Sequence, residues 1–275
     1  MTEAPAVRKP KPQCTLEVIR TERLSEHLVR VIVGGPGFST FVMNDFTDRY
    51  VKIAFPRPGV SYPEPLDLAW IRENMPAAEW PVTRTYTVRS VDLQARELAI
   101  DFVVHGDEGL AGPWAARAVP GDSIVFSGPG GGYSPRDGAD WHLLLGDDAA
   151  LPAVAAALEA LPADARGLAF LEVDAEADVL PLTVPSGVAL SWCFRRGVPA
   201  GESTVLLDAV KAATFPEGTV QAFVHGERSL VKALRDELLK NRGLDRKDLS
   251  ISGYWAYGRV EDQFQAEKKT EIGKI

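Results

Sequence analysis

Arg84 and Tyr86 stand two residues apart in RTYTV, residues 84–88, inside an otherwise ordinary alternating stretch. In a strand, Arg84, Tyr86 and Val88 share one face and Thr85 and Thr87 the other. A charge on a buried face needs a partner. A planar, anionic ligand would supply one. A flavin ring can stack on the tyrosine, the arginine can pair with a diphosphate, and Thr87 can bond a ring edge. The alternative is a strand with a surface arginine and a half-buried tyrosine, and four residues alone do not decide between the two.

Two further stretches carry chemistry. In DFVVHGDEGLAGPWAARAVPGD, residues 101–122, a strand ends at His105-Gly106, a glycine-bearing loop follows, and a short helix starts near Pro113-Trp114. Free amides at a helix start suit a diphosphate, and Gly109 and Gly112 let a backbone come close. The plain reading is a turn and a connecting helix, with His105 a structural group at a strand end. In LLLGDDAALPA, residues 143–153, an apolar run meets Gly146-Asp147-Asp148 and then a helix. That is the strand–turn–helix order of nucleotide sites, without the GxGxxG spacing; any βα junction has the same outline.

The elements that must position these residues fall into two sets. The first half reads as six β-rich runs: CTLEVIRTERL, LVRVIVGG, YVKIAFP, RTYTVRSV, ELAIDFVVHG and GDSIVFSGPGGG. Short strands punctuated by turn residues predict a closed antiparallel barrel. Residues 59–80, rich in proline and carrying Trp70 and Trp80, read as a long surface loop. From about residue 138 strands alternate with helices: WHLLLGD, a helix over AALPAVAAALEALP, GLAFLEV, GVALSWCF, a helix over STVLLDAVKAATF, TVQAFVHG, a helix over ERSLVKALRDELLKN, LSISGYW, and a charged helix over RVEDQFQAEKK. That alternation predicts an open parallel sheet with covering helices. The expected fold class is a β-barrel plus α/β: a six-stranded antiparallel barrel over 13–137, then a parallel-sheet nucleotide-binding domain with a C-terminal helix over 138–275.

Composition narrows the function. The chain has 275 residues, is 45% hydrophobic and 25% charged, and carries a net charge of -8. An acidic chain is not a general nucleic-acid binder, so an anionic ligand needs a local basic cluster. Cys14 and Cys193 form no CxxC pair, and the four histidines show no metal-ligand spacing. We expect a cytoplasmic monomer with no bound metal, no signal peptide and no membrane span.

RTYTVRS, ELAIDFVVHG with DEGLAGPWAARAVPGDSIVFSGPGG, LLLGDDAALPAVAAALEALP and GYWAYGRVEDQFQAEKK occur in that order, and together they resemble the siderophore-interacting proteins. These are flavin-dependent ferric-siderophore reductases of the ferredoxin-reductase-like superfamily. The resemblance runs from about residue 13 to 269. It implies FAD on the barrel, with Arg84, Thr85, Tyr86 and Thr87 at the isoalloxazine and phosphate side. Asp101, Val103 and His105 would line the ribityl chain, and Gly109, Leu110, Ala111, Gly112 and Trp114 would cap the diphosphate. NADH or NADPH would dock at Gly146, Asp147 and Asp148. Lys52, Arg259 and Lys268 would grip an anionic ferric siderophore, and the GYW segment and last helix would close over the flavin. The chain departs from the family pattern at Ala256, where a basic residue often follows GYW, at Ala149, where Thr or Ser is usual, and in PGGG (129–132), which offers no arginine.

Electrons would pass from NAD(P)H through FAD to iron(III), which hard oxygen donors hold far more tightly than iron(II). The cofactor carries that chemistry, so no catalytic acid or base is expected. Glu172 and Asp174, ending the second strand of the α/β half, favour a ribose hydroxyl and hence NADH. Two other readings stay open at this point: a reductase serving a ferredoxin-like partner, and a non-catalytic siderophore-binding protein.

Overall fold

The computed structural model describes residues 12–105, 109–268 and 270–275. Gly106 at the end of the fifth expected strand, Lys269 at the end of the last expected helix, and the N-terminal stretch through Lys11 lie outside the described residues.

Six strands, β1 (Gln13–Arg23), β2 (Leu28–Gly34), β3 (Tyr50–Phe55), β4 (Val82–Asp92), β5 (Glu97–Val103) and β6 (Ser123–Gly130), close into an antiparallel barrel of order β1-β2-β5-β4-β3-β6. Period-two alternation decides what points inward. Leu98, Ile100 and Phe102 of β5 fill the interior with Val31, Ile53, Val88 and Phe126. Each such burial stabilises the fold by about 1.5–3 kcal/mol. Register shifts at Val18/Arg20 and Val88/Ser90 mark bulges in the two longest strands, where added twist helps the sheet close.

Residues 59–80 are not the surface loop that their prolines suggest. They contain α1 (Leu68–Asn74), whose N-cap Asp67 accepts from the Ala69 and Trp70 amides at 2.9 and 3.0 Å. Leu68 and Ile71 pack on Ala54 and Val125 of the barrel's outer face. The prolines flank this small layer and do not exclude it.

The second half is a five-stranded parallel sheet of order β11-β10-β7-β8-β9, from β7 (Trp141–Gly146), β8 (Arg166–Val173), β9 (Gly187–Phe194), β10 (Val220–Glu227) and β11 (Leu249–Trp255). Strand order reverses at β7, which has β8 on one side and β10 on the other; ligands in such sheets bind outside the strand ends at this point. Three helices, α3 (Leu151–Glu159), α4 (Val205–Ala212) and α5 (Arg228–Asp236), connect the strands. α3 is buried almost all round because it sits between the sheet and the barrel. Leu28 and Val103 of the barrel share a core with its Val154 and Leu158, and Arg89 of β4 grips Glu159 at 2.8 and 2.5 Å. A short helix after β5, α2 (Ala111–Arg117), begins two residues before Pro113. The last helix, α6 (Glu261–Glu267), anchors on buried Phe264. Among the described residues, no helix is long and apolar enough to cross a membrane.

Candidate functional site

Alternation in β4 splits the RTYT residues between two environments. Tyr86 turns into the barrel mouth, its ring 4.3 Å from that of Phe102. Burial pushes its phenol pKa upward. Trp114 of α2 continues the stack, 5.5 Å from Phe102 and edge-on to Phe55 at 5.9 Å. The first and second motifs therefore meet through one aromatic ladder, Tyr86–Phe102–Trp114. Arg84 sits on the same side with its side chain 18% exposed. Its Nη1 donates to the Thr83 carbonyl at 2.9 Å and to Asp262 of α6 at 3.0 Å.

On the outer face, Thr85 accepts from Lys52 Nζ at 3.2 Å, the two being register partners on β4 and β3. Thr87 is buried, with its hydroxyl near the Tyr254 phenol of β11. Tyr254 in turn lies 3.1 Å from His225 Nδ1, while His225 Nε2 meets Ser250 at 3.1 Å. His225 stacks on Phe223 at 3.7 Å. Burial, aided by the charge of Lys268, pushes its pKa down to about 3, so the ring is neutral. This chain of contacts ties the cofactor strand to the parallel sheet.

The basic residues divide. Lys268 lies 4.7 Å over the Phe264 ring. Partial burial lowers its pKa, Glu261 opposes, and the nearby charge of Lys52 adds to the fall. The charge of Lys52, on the strand beside β4, thus reaches Lys268. Arg259 is not with them: its Nε is held by Glu267 at 2.8 Å, a carboxylate it shares with Arg228.

Gly109 and Gly112 give the start of α2 the features of an anion cradle. Gly109 has φ +81 with open space where a Cβ would stand. A Cβ on Gly112 would come within 3.0 Å of the Val103 carbonyl, so only glycine lets α2 start this close to β5. Among the described residues no side chain caps the first amides of α2, and Leu110 beside them is exposed. Ala111 is buried beneath the turn, and His105 is exposed at the strand end. With Arg84 and Tyr86 at the barrel mouth, these residues fit a flavin dinucleotide.

The structure does not bring Asp101 to that cradle. Its carboxylate is buried and accepts both Arg30 Nε and Nη2, at 2.6 and 2.8 Å. The Arg30 fork takes one lone pair of each carboxylate oxygen and holds Asp101 against β2. Val103, on the same outward face, packs into the core shared with α3.

Gly146, Asp147 and Asp148 are also differently employed. A Cβ on Gly146 would meet Val154 at 2.9 Å and Ala150 at 3.0 Å, so this glycine serves the packing of α3 on β7. Asp147 is buried and accepts four donors: the amides of Ala149, Ala150 and Glu227 and the Trp255 indole, at 3.0, 3.1, 2.7 and 2.8 Å. It holds the turn that leads into α3 and pins β11. Glu227 caps α5 through the Ser229 and Leu230 amides. Asp148 binds Arg195 Nη2 at 2.6 Å. Glu172 is fully buried, 3.6 Å from Arg195 Nη1, and makes no hydrogen bond. Burial pushes Asp148 up to about 6 and Glu172 up to about 7, against the pull of Arg195. Glu172 therefore cannot reach a coenzyme ribose; half-buried Asp174 is the carboxylate left at that strand end.

Comparison with known proteins agrees with this geometry. Residues 17–133 match the siderophore-interacting FAD-binding domain, and residues 139–258 match the siderophore-interacting protein family. The chain belongs to the siderophore-interacting protein family. It is 47% identical over 271 residues to an uncharacterized protein of Mycobacterium tuberculosis, covering 94% of this chain and 95% of that one. It is 34% identical over 259 residues to the ferric vibriobactin reductase ViuB of Vibrio cholerae, covering 92% and 93%. Among solved structures, a siderophore utilization protein from T. fusca superposes with a TM-score of 0.79 at 38% identity, covering 91% and 95%. As a siderophore-interacting protein, the chain is an FAD-binding oxidoreductase of the ferredoxin-reductase-like fold, with the expected barrel and parallel sheet.

Sequence reasoning missed Asp262, His225, Arg195 and the Arg30 partner of Asp101. The acidic first turn of the last helix was a readable signal for Asp262. The others depend on which distant strands become neighbours.

Proposed function

We propose that the chain passes electrons from NAD(P)H through FAD to a ferric siderophore and thereby releases iron(II). The observation that carries this reading is the setting of β4: Arg84 and the Tyr86–Phe102–Trp114 ladder on one face, and on the other Lys52, whose charge reaches Lys268. In a chain of net charge -8, two neighbouring lysines at a cofactor strand are a local basic site for an anionic chelate.

Arg84 would exchange Asp262 for the FAD diphosphate. Tyr86 and Trp114 would pack the barrel side, and the uncapped amides of α2 would complete the phosphate contacts. When bound, FAD accepts an electron pair and releases single electrons. Lys52 and Lys268 would orient the chelate and offset its charge, and the neutral His225–Tyr254–Thr87 chain would hold β4 against the sheet. One NAD(P)H reduces two ferric chelates and leaves NAD(P)+ and a proton. NADH is the proposed coenzyme, with Asp174 at its ribose. The barrel unit would end at 137 and the coenzyme unit start at 138, in a monomeric cytoplasmic protein. The homologous ferric vibriobactin reductase supports the substrate class.

One observation favours a second reading for the donor. The turn into α3 and the start of α5, where a coenzyme diphosphate would sit, are held by Asp147 and Glu227. A ferredoxin-like protein delivering electrons directly to FAD needs neither helix start. Anaerobic turnover with a ferrous trap separates the two. NADH-driven release of iron(II) from a ferric siderophore supports the proposal. Release only with reduced ferredoxin supports the second reading, and release with neither defeats both.

A further inference from the structure

Lys52 faces two ways. Its ammonium bonds Thr85 on the cofactor strand, and its stem lines a cleft of about 80 Å³ between α1 and the barrel. The other cleft described, beside Asp148 and Asp178, is about 10 Å³, room for a single water.

The lining of the larger cleft is selective in its chemistry. It has two cations, Lys52 and Arg72, and no carboxylate. Arg72 is exposed and forms no ion pair among the described residues. An unpaired arginine fork is pre-shaped for two oxygens of an anion. Thr83 and Ser127 line the cleft as well, their hydroxyls without protein partners among the described residues. One wall is Trp80. Its indole N–H is spent on the Met75 carbonyl at 3.0 Å, and its own carbonyl is held by Arg57 at 2.8 Å. The ring is therefore fixed and offers the cleft only apolar surface. Ile71 beside it is buried and apolar.

A ligand that uses all of these groups is flat, anionic and oxygen-edged. An aliphatic hydroxamate chelate brings no ring to Trp80 and less charge to the two cations. We propose that this cleft binds an aryl-oxide arm, a catecholate or phenolate ring, of the ferric chelate. The ring packs on Trp80, its oxygens face Arg72 and Lys52, and the iron lies toward Thr85. The proposal rests on the chelate-reductase reading, and it assigns to Arg72 the charge that Ala256 and the PGGG turn do not supply.

The test compares Arg72→Ala and Arg72→Glu with the parent as FAD-loaded proteins. The probes are the ferric tris-catecholate of 2,3-dihydroxybenzoate and a ferric trihydroxamate. Binding is read on the oxidised protein by tryptophan quenching, which needs no turnover, and KM and kcat are read separately. We expect Arg72→Ala to raise Kd and KM for the catecholate about tenfold and Arg72→Glu to raise them further. Catecholate kcat and all hydroxamate values stay as in the parent. Unchanged catecholate binding, or an equal loss for both chelates, overturns the proposal. If the parent reduces neither chelate yet binds the catecholate through Arg72, the cleft stands and the reductase reading falls.

Discussion

Arg84 Nη1 lies 3.0 Å from Asp262 Oδ1, so the strand that carries the cofactor motif is tied to the last helix of the chain. Asp262 is 65% exposed, and an exposed pair of this kind is worth about 0–1 kcal/mol. A phosphate contact by the same guanidinium is worth about 1.5–3 kcal/mol. FAD should therefore displace Asp262 with little penalty. We expect Asp262→Asn to tighten FAD binding by at most a few fold and Arg84→Ala to weaken it about 10–100-fold. Titration of FAD into the apoprotein checks both. An Arg84→Ala protein that keeps parental FAD affinity would remove Arg84 from the site.

Thr87 of the barrel faces Tyr254 of the sheet, whose hydroxyl lies 3.1 Å from His225 Nδ1. Thr87→Val leaves the Tyr254 hydroxyl with His225 alone. The expected loss is about 1–2 kcal/mol of stability, read by denaturant unfolding. Tyr254→Phe in the Thr87→Val background should then cost less than it does alone, because neighbours in one network are not additive. Strict additivity would show that the two hydroxyls do not interact.

Asp147 is a structural residue that holds the turn before α3 and the ends of β10 and β11. Removing its carboxylate strands four donors in a buried site, so Asp147→Ala should cost about 3–5 kcal/mol. Asp147→Asn keeps part of the set and should cost less. Trp255 loses its partner in the alanine variant, so its fluorescence should shift with the stability change. A fully stable Asp147→Ala protein that has lost only coenzyme binding would restore Asp147 to the nucleotide site.

Stability should respond to pH through Glu172 and Asp148. Both folded carboxyls lie above their ordinary values of 4.5 and 3.8, at about 7 and about 6. The folded chain then holds more protons than the unfolded one between about pH 4 and 7, so their contribution falls as pH rises through that window. His225 works in the opposite sense. Its folded pKa of about 3 lies below 6.5, so its contribution falls as pH drops from about 6.5 to 3. Glu172→Gln should flatten the alkaline limb and be more stable than the parent at pH 8, by on the order of 2 kcal/mol. Parallel pH profiles for the two proteins would contradict the assignment.

Much of the fold was legible because two periods separate its halves. Alternation in ELAIDFVV and RTYTVRSV marks strands with one face in a core, and the apolar run WHLLLG marks a strand buried on both faces. The face shared by Arg84 and Tyr86 follows from that same period, and so does the separate face of Thr85. The use of each carboxylate was not legible. GDDAALP reads the same whether Asp147 turns outward to a ligand or inward to hold the turn before α3, and only the neighbouring β10 and β11 ends decide it. Asp101 looked free because Arg30 is 71 residues away in sequence. α1 was hidden by the prolines around it, although Asp67 before LAWI was a readable cap.

The account turns on whether FAD held at β4 delivers electrons to a chelate beside Lys52, whatever the donor. The most direct measurement is a single anaerobic mixing. FAD-loaded protein, reduced chemically and freed of excess reductant, is mixed with a ferric siderophore and a ferrous trap. The account expects the oxidised flavin absorbance to return as about two ferrous ions appear per FAD, with a slower rate for Lys52→Ala. A reduced flavoprotein that stays reduced in the presence of the chelate would contradict it.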